Sequence, residues 1–382
     1  MSYYVARGQL PPKKHTQFRS PGNELYCEEV FGTCGFSGIA SILYHLHPPT
    51  VMREITGMTP LEYAAEPAGA LHHRHFFTGR IATEGDLVSS RRYLLKNDDV
   101  LVGVGETAKS MTAFYRNSDG DELLFVQDGS GVLHSPFGDL AVAPGDYVVI
   151  PSGMLYRMEI QERMRFIVFE AYGPIELPSR YLNSAGQISE QAPFSERDFH
   201  VPEGADPVDE SGEFVVQVKK RDRVSTYVYA HHPFDVVGWD GYLYPYTFNI
   251  SDFQPMTGAI HLPPTIHQTF QGPNIAICSF VPRLFDYHPR AVPVSYFHSN
   301  IDTDEVLYYV RGNFMSRRGI ESGSLTLHPA GIPHGPQPGA IEASLGKSST
   351  DELAVMMDAF RPLTVLRPAN SVEDDNYTFS WQ

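Results

Sequence analysis

Short runs of apolar and β-branched residues, separated by Gly and Pro, dominate the chain from Met111 onward. The clearest are "ELLFVQDG", "YVVIPSG", "RFIVFEAYG", "FVVQVKK" and "STYVYA". Runs of this length that are rich in Val, Ile, Tyr and Phe and end in turn residues are typical of β-strands. Helical patterns are few, and the best two lie near residues 58–69 and 86–97. The pattern therefore predicts a mostly β protein with a few short helices.

Two stretches of the chain share one frame: "YRNSDGDELLFVQDG" (115–129) and "HSNIDTDEVLYYVRG" (298–312). Both read aromatic or His, any residue, Asn, four residues, Glu, six residues, Gly. A second frame follows each copy, "GDYVVIPSGMLY" (145–156) and "GSLTLHPAGIPH" (323–334). Tyr115 and Tyr156 of the first copy correspond to His298 and His334 of the second. This duplication predicts two units of similar structure.

The two frames resemble the signature motifs of the cupin superfamily, whose members are small double-sheet jelly-roll barrels. Alternate strand residues point to the same side, so residues at both ends of each turn can face the barrel lumen. The chain has 382 residues, which favours two domains. The resemblance therefore implies two cupin-type jelly-roll barrels, one within residues 1–245 and the other within 246–382.

The second barrel carries three potential metal ligands at the matched positions: His298, Glu305 and His334. Two histidines and one carboxylate are the facial triad that holds Fe(II) and leaves positions open for substrate and O₂. This ligand set favours iron, although zinc or manganese remain alternatives. The acidic neighbours Asp302 and Asp304 do not fit the spacing and are expected at the surface.

The first barrel keeps Glu122 but has Tyr115 and Tyr156 where imidazoles would be needed. One carboxylate and two phenols do not form such a triad. We therefore expect the first barrel to be a degenerate, metal-free copy.

Several other histidines lie close together in the sequence. His72, His73 and His75 look like a metal site, but no carboxylate stands at a useful spacing and they are expected outside both barrels. His45 and His47 alternate on a strand-like run, for which structural or interface roles are expected.

Composition narrows the class of protein. Hydrophobic residues make up 42% and charged residues 19% of the chain, and the formal net charge is −16. No basic cluster is present, so a nucleic-acid partner is not expected. The three cysteines fit neither a disulfide framework nor a zinc pattern. No signal peptide or apolar membrane span is apparent, so the sequence predicts a cytoplasmic protein without a membrane partner.

Beyond these frames, the chain resembles the homogentisate 1,2-dioxygenase family from about residue 20 onward. The segments that carry the resemblance are "FYRNSDGDELLFV", "HPFDVVGWDGYLYPYTFNISDF", "VRGNF", "PHGP" and "EDDNYTFSW". The resemblance implies Fe(II)-dependent conversion of homogentisate and O₂ to maleylacetoacetate in phenylalanine and tyrosine catabolism. It also implies a homo-oligomer, either a trimer or a hexamer. His261 matches the family's active-site histidine, with His267 as the competing candidate.

The same resemblance suggests which residues line a pocket for a small aromatic acid. They are Tyr296, Asn300 and His334, together with Phe314, which stands where the family has a tyrosine. Arg317 could pair with a substrate carboxylate instead of the missing phenol. Alternatives are a related cupin dioxygenase acting on another hydroquinone or catechol acid such as gentisate, a non-catalytic bicupin, or a cupin isomerase using zinc or manganese.

Overall fold

The computed structural model describes residues 3–382 apart from 68, 295, 313 and 315. Strands dominate its secondary structure, as predicted. They are β1 Val5–Gly8, β2 Cys27–Gly32, β3 Ala40–His45, β4 Met52–Pro60, β5 Arg74–Phe77, β6 Arg92–Lys96, β7 Val100–Thr107, β8 Phe114–Asn117, β9 Asp121–Ser135, β10 Gly138–Val142, β11 Asp146–Ile150, β12 Arg157–Ala171, β13 Phe199–His200, β14 Ser211–Lys220, β15 Arg223–His231, β16 Val236–Gly241, β17 Tyr246–Asn249, β18 Gln268–Gly272, β19 Ile275–Phe280, β20 Arg283–Leu284, β21 Asp304–Arg311, β22 Ser324–His328, β23 Ser349–Thr350, β24 Leu353–Ala359 and β25 Thr364–Val365.

Helices are short. The two α-helices are α1 Ala340–Ser344 and α2 Arg367–Asn370. Single 3₁₀ turns cover Cys34–Phe36, Thr78–Arg80, Ser179–Tyr181, Glu196–Asp198, Ile250–Asp252, Pro264–His267 and Tyr377–Phe379. Among the described residues, no helix is long and apolar enough to span a membrane.

Both helices expected from local pattern are wrong. The segment near 58–69 begins inside β4, which pairs with β15, and the segment near 86–97 contains β6, which pairs with β7. In each case hydrogen bonding to a neighbouring strand outweighs a weak local helical preference.

Two large sheets carry the duplicated frames. The nine-stranded sheet has the order β13-β17-β11-β9-β12-β7-β6-β25, with β10 also paired to β9. The six-stranded sheet has the order β18-β19-β24-β21-β22-β5. Two four-stranded sheets, β1-β16-β3-β2 and β4-β15-β14-β8, accompany the first. β9 and β21 occupy corresponding central positions in the two sheets. β9 begins with Asp121 and Glu122, and β21 begins with Asp304 and Glu305.

Strands also cross between the two halves of the sequence. β5, from the first hundred residues, pairs with β22 in the six-stranded sheet. β25, near the end of the chain, pairs with β6 in the nine-stranded sheet. The division of the chain at 245/246 stays a prediction, and both sheets contain a strand from beyond it.

Buried side chains alternate between the two faces of the nine-stranded sheet. Leu123 and Phe125 face the six-stranded sheet, where they join a core that includes Ile277. Leu124 and Val126 point to the opposite face and form a second core. This period-two pattern places each frame's glutamate on the face away from the shared core.

Matching backbone hydrogen bonds hold the two copies of the frame. Tyr115 and Tyr156 exchange two N–H···O bonds of 2.9 Å each, and His298 and His334 exchange two of 2.8 and 2.9 Å. Each pair therefore forms an antiparallel bridge at the same point of its frame. The duplicated sequence corresponds to duplicated local geometry.

The acidic residue before each glutamate is structural. Asp304 is buried and accepts N–H bonds from Ala330 (2.8 Å) and Leu363 (2.7 Å). Asp121 does the same in the first copy. The surface position predicted for Asp304 is therefore wrong, because the carboxylate ties two loops to the start of β21. Asp302 is exposed, as expected.

Candidate metal centre

Three predicted ligands meet on the outer face of the six-stranded sheet. Glu305 at the start of β21 lies with Oε2 3.8 Å from His298 Nε2 and with Oε1 3.5 Å from His334 Nε2. One ligand atom from each of the three lies within 4.8 Å of the others. This is the only group of three or more such side chains with metal-binding spacing among the described residues.

The protonation states of these side chains suit a cation. His334 Nδ1 lies 3.2 Å from the Ile332 carbonyl, so this nitrogen carries the proton and Nε2 presents its lone pair. Nε2 is buried and has no hydrogen-bond partner among the described residues. Burial alone would raise the pKa of Glu305, but the hydrogen bond from His328 and the proximity of the His298 and His334 imidazoles lower it well below its usual range. Two imidazoles and one ionised carboxylate fit Fe(II).

His328 supports Glu305 from behind and was missed by the sequence analysis. It is the strand partner of Glu305, and its Nδ1 lies 2.7 Å from Glu305 Oε1. Burial lowers the pKa of His328 to about 3, so the ring is neutral and donates from Nδ1. Its Nε2 then accepts from the Tyr377 hydroxyl at 2.9 Å. The first copy has Ile150 at this position, so comparing the frames would have revealed His328.

The terminal segment and the strand β5 cover the centre. The His73 ring lies 5.7 Å from the His334 ring and 5.1 Å from Trp381, and its Nε2 lies 3.0 Å from the Pro333 carbonyl. His75 is buried on β5. The expectation that this histidine cluster lies outside both barrels is wrong for His75, because its strand β5 pairs with β22 and completes the six-stranded sheet. His72 and His73 lie just before that strand.

His261 and His267 lie in different environments. The His261 ring is 5.1 Å from Tyr296, whose ring is 6.0 Å from that of His298. Burial lowers the pKa of His261, and its Nδ1 lies 4.0 Å from Asp286. His267 packs 4.6 Å from Phe280, and burial lowers its pKa to about 3. Of the two, His261 faces the metal ligands; its assignment as the base stays a prediction.

The remaining predicted pocket residues surround the same centre at varying distances. The Asn300 carbonyl accepts from Gly331 N at 2.7 Å, which fixes the turn between the ligands. The Phe314 ring packs 4.7 Å from Tyr309. Tyr296 is 45% exposed, so it lies at the entrance and not in the core. Their roles toward a substrate stay predictions.

Arg317 lies close to the centre but is already engaged. Its Nη1 donates to the Gly335 carbonyl at 2.5 Å and to the Ser316 carbonyl at 3.2 Å. Its guanidinium carbon lies 5.8 Å from the centre of the Trp381 ring. These contacts fix Arg317 against the chain terminus.

The equivalent point in the first copy contains an arginine. Arg91 has no exposed side-chain surface, and its Nη1 lies 2.7 Å from Glu122 and 2.8 Å from Glu170. Its Nη2 donates to the Tyr156 hydroxyl at 3.0 Å, which in turn donates to Glu122 at 2.6 Å. The guanidinium thus neutralises the glutamate that corresponds to Glu305. The positively charged side chain of Arg91 thus contacts the glutamate that, in the second copy, is a candidate metal ligand.

Glu170 joins this cluster to further polar groups. It accepts from Asn117 at 3.1 Å and forms hydrogen bonds with Lys219 and Tyr93. Burial alone would raise the pKa of Glu170, but Lys219 and Arg91 lower it. Glu170 is therefore ionised and paired with Lys219 and Arg91, and Arg91 also pairs with Glu122.

Comparison with known proteins agrees with this geometry. The family described as "Homogentisate 1,2-dioxygenase N-terminal" matches residues 93–250. A Saccharolobus solfataricus protein named "Putative dioxygenase SSO1533" is 40% identical over 100% of this chain and 99% of its own length. Human homogentisate 1,2-dioxygenase is 28% identical over 72% of this chain, and the match spans 65% of the human protein.

Solved structures give a more distant likeness. A cupin 2 conserved barrel domain protein from Leptotrichia buccalis covers 79% of this chain and 100% of its own, with 10% identity and a TM-score of 0.34. This likeness carries no argument about function. The mostly β fold predicted from the sequence is confirmed by the strands and sheets of the structure. With its full-length relative, its matching family segment and its duplicated ligand frames, the chain belongs to the homogentisate 1,2-dioxygenase family of dioxygenases.

Proposed function

We propose that this protein is an Fe(II)-dependent ring-cleaving dioxygenase that converts homogentisate and O₂ to maleylacetoacetate, a step of phenylalanine and tyrosine catabolism. The observation that carries the proposal is the group formed by His298, Glu305 and His334, whose ligand atoms lie within 4.8 Å of one another. When bound there, Fe(II) would supply the electronic link between the electron-rich ring and O₂. Both oxygen atoms enter the opened product, so no other oxidant is needed.

His261 is proposed to handle the proton of a ring hydroxyl. Its lowered pKa keeps the imidazole neutral at pH 7, which is the form that can accept a proton. Nδ1 points toward Asp286, so Nε2 is the nitrogen available to a substrate. Asp286 then stabilises the imidazolium that forms.

The residues around the triad would keep its side chains in fixed positions and exclude water from them. Neutral His328 fixes Glu305 Oε1 through Nδ1, and Tyr377 fixes His328 in turn. The aromatic side chains of His73 and Trp381 cover the opposite side. A rigid, water-excluding surrounding strengthens charge interactions and prevents side reactions.

Phe314 gives a reason to retain a second candidate substrate. The family's tyrosine hydroxyl is absent here, which removes a hydrogen bond of about 0.5–1.5 kcal/mol. A related hydroquinone or catechol acid such as gentisate is therefore the alternative, with the same reaction class and the same ligands.

A direct test is O₂ uptake by anaerobically purified protein after reconstitution with Fe(II). The panel contains homogentisate, gentisate and a catechol acid, and His334→Ala serves as the control that lacks one ligand. We expect homogentisate-dependent uptake by the wild type and none by the control. O₂ uptake with gentisate but not with homogentisate would identify gentisate as the substrate. Metal binding without uptake on any substrate would favour a non-catalytic bicupin, and activity dependent on zinc or manganese alone would favour an isomerase.

We also propose that the protein works as a homo-oligomer in the cytoplasm. The free thiols Cys27, Cys34 and Cys278 are compatible with a reducing compartment. The molar mass of the purified protein, measured by light scattering, should correspond to a trimer or a hexamer. A molar mass of one chain would contradict the proposed homo-oligomer.

A further inference from the structure

A partly buried arginine lines the same small cavity as His261. Arg283 begins β20, which pairs with β23. Its Nη1 is buried and has no hydrogen-bond partner among the described residues. A charged donor that is buried without an acceptor costs more free energy than a neutral donor in the same position. Such a group calls for an anion that is not part of the chain.

The surroundings of Arg283 place this unpaired donor next to the proposed base. Arg283, His261, His267 and Asp286 line one small cavity of about 20 Å³. A cavity of this size holds about one water molecule or a group of similar size, such as a carboxylate. His261 separates the cavity from Tyr296, which leads on to the metal ligands. An aromatic ring held beside the ligands could therefore extend a short side arm past His261 toward Arg283.

Neighbouring charges neutralise Arg283 only in part. Burial lowers the pKa of Arg283, while Asp286 and Glu352 act in the opposite direction. An arginine side chain remains protonated in proteins, so the guanidinium keeps its charge. The nearest histidines, His261 and His267, are both neutral near pH 7 because burial lowers their pKa values. The cavity thus presents the guanidinium of Arg283, the carboxylate of Asp286 and two neutral imidazoles, and the Nη1 donor of Arg283 is the group there without a hydrogen-bond partner among the described residues that carries a positive charge.

We infer that Arg283 is the anchor for the carboxylate of the aromatic substrate, which its unpaired Nη1 binds in the cavity behind His261. This inference rests on the proposed function and adds the residue that selects an acid over a neutral hydroquinone. Arg317, the candidate from the sequence, donates through its terminal Nη1 to two backbone carbonyls and packs on Trp381, and its unpaired nitrogen is the inner Nε. In Arg283 the unpaired donor is a terminal Nη1 on a residue that lines the cavity, and a charge-assisted hydrogen bond is stronger than a neutral one.

The test measures binding separately from turnover. Homogentisate and its methyl ester differ only in the negative charge of the side arm. Their dissociation constants are measured by anaerobic calorimetry on the Fe(II)-loaded wild type, Arg283→Lys and Arg283→Met. The exposed Arg290→Met, seven residues further along the same loop, is the matched control.

We expect Arg283→Met to weaken binding of the acid about 10- to 100-fold, the equivalent of a lost hydrogen bond to a charged group, and to leave ester binding unchanged. Arg283→Lys keeps the charge and should recover part of the loss. Arg290→Met should bind both ligands as the wild type does. Equal losses for acid and ester, or no loss for either, would overturn the inference.

The same measurements separate this inference from the proposed function. If the wild type binds the acid more tightly than the ester through Arg283 but consumes no O₂ with any substrate, the anchor stands and the dioxygenase proposal fails. If O₂ uptake is normal and Arg283→Met binds the acid as well as the wild type, the proposed function stands and the anchor is wrong. Thermal unfolding of each variant identifies one that does not fold. If Arg283→Met does not fold, Arg283→Gln, which removes the charge and keeps a polar side chain, decides: an unchanged preference of acid over ester in that variant overturns the anchor.

Discussion

Replacing Arg91 by methionine should destabilise the protein far more than replacing an exposed arginine. Methionine preserves most of the volume but removes the cation that contacts Glu122 and Glu170. Glu170 keeps its ion pair with Lys219, whereas Glu122 is left with only neutral donors. Removing one partner of a buried ion pair costs about 3–5 kcal/mol, which is a large part of the about 5–15 kcal/mol that stabilises a typical native protein.

The assay is urea unfolding followed by tryptophan fluorescence. The chain has two tryptophans, and they report on different regions: Trp239 is buried in the first copy's core and Trp381 lies beside the metal ligands. We expect the Trp239 signal to change at lower urea in Arg91→Met. The control is Arg163→Met, which removes a 3.0 Å ion pair with Glu106 whose arginine is 68% exposed. Exposed pairs contribute less than about 1 kcal/mol.

A double variant tests the cause. The double variant Arg91→Met/Glu122→Gln has no unpaired charge at this site. Its free energy of unfolding should therefore decrease by about 1–3 kcal/mol less than the sum of the decreases in the two single variants. If Arg91→Met unfolds within about 1 kcal/mol of the wild type, the electrostatic account of this cluster is refuted.

Four further outcomes are expected. Metal analysis should give one iron per chain, lost in His334→Ala; a stoichiometry near two would contradict the degenerate first copy. His261→Gln should retain iron in metal analysis but lower turnover by about 10²–10⁴, the range for loss of a general acid or base; the same loss from His267→Gln, with His261→Gln active, would exchange the two roles. His45, between Asp235 and Glu29, is buried, which lowers its pKa, yet hydrogen bonds to these carboxylates raise the pKa to about 9. Because the pKa of His45 is higher in the folded than in the unfolded protein, its stabilisation is complete below about pH 6.5 and is lost as the pH rises through 9. Urea unfolding over this pH range should therefore show the free energy of unfolding decrease by at most about 3 kcal/mol. The decrease should be absent in His45→Gln. Phe314→Tyr should lower the Michaelis constant for homogentisate several-fold in steady-state kinetics, in line with about one added hydrogen bond, and a raised constant would show that the pocket has no acceptor there.

The group of three candidate metal ligands can be predicted from the sequence because the ligands lie in a frame that occurs twice, and the structure brings the three side chains together. Aligning the two copies shows His298 and His334 where the first copy has Tyr115 and Tyr156. The same alignment shows His328 where the first copy has Ile150, and this difference identifies the residue that supports Glu305. No such comparison points to His73, Tyr377 or Trp381. These residues reach the centre through chain connections across more than two hundred residues or through the chain terminus, which no local pattern records.

Local pattern also failed where long-range pairing decides the structure. Weak helical spacing predicts helices near 58–69 and 86–97, but the first segment begins inside the strand β4 and the second contains the strand β6. Asp304 was expected in solvent because acidic residues usually are, yet two backbone donors from other segments bind it. Arg91 has no signal at all in the sequence, since its carboxylate partners follow it by 31 and 79 positions.

The exchange of β5 and β25 has a consequence for synthesis on the ribosome. When residues up to the end of β17 have emerged, β6 still lacks its neighbour β25 and β5 has no sheet to join. A nascent chain at that stage has an unpaired sheet edge, a feature that promotes aggregation. The six-stranded sheet is complete once β24 has left the exit tunnel, whereas the nine-stranded sheet waits for β25. The segment that follows β25 then brings Tyr377 and Trp381 next to His328, the residue that supports Glu305. A premature stop codon before β25 would therefore leave an unpaired edge in the nine-stranded sheet and uncover the candidate metal centre together, although His298, Glu305 and His334 would all have been made.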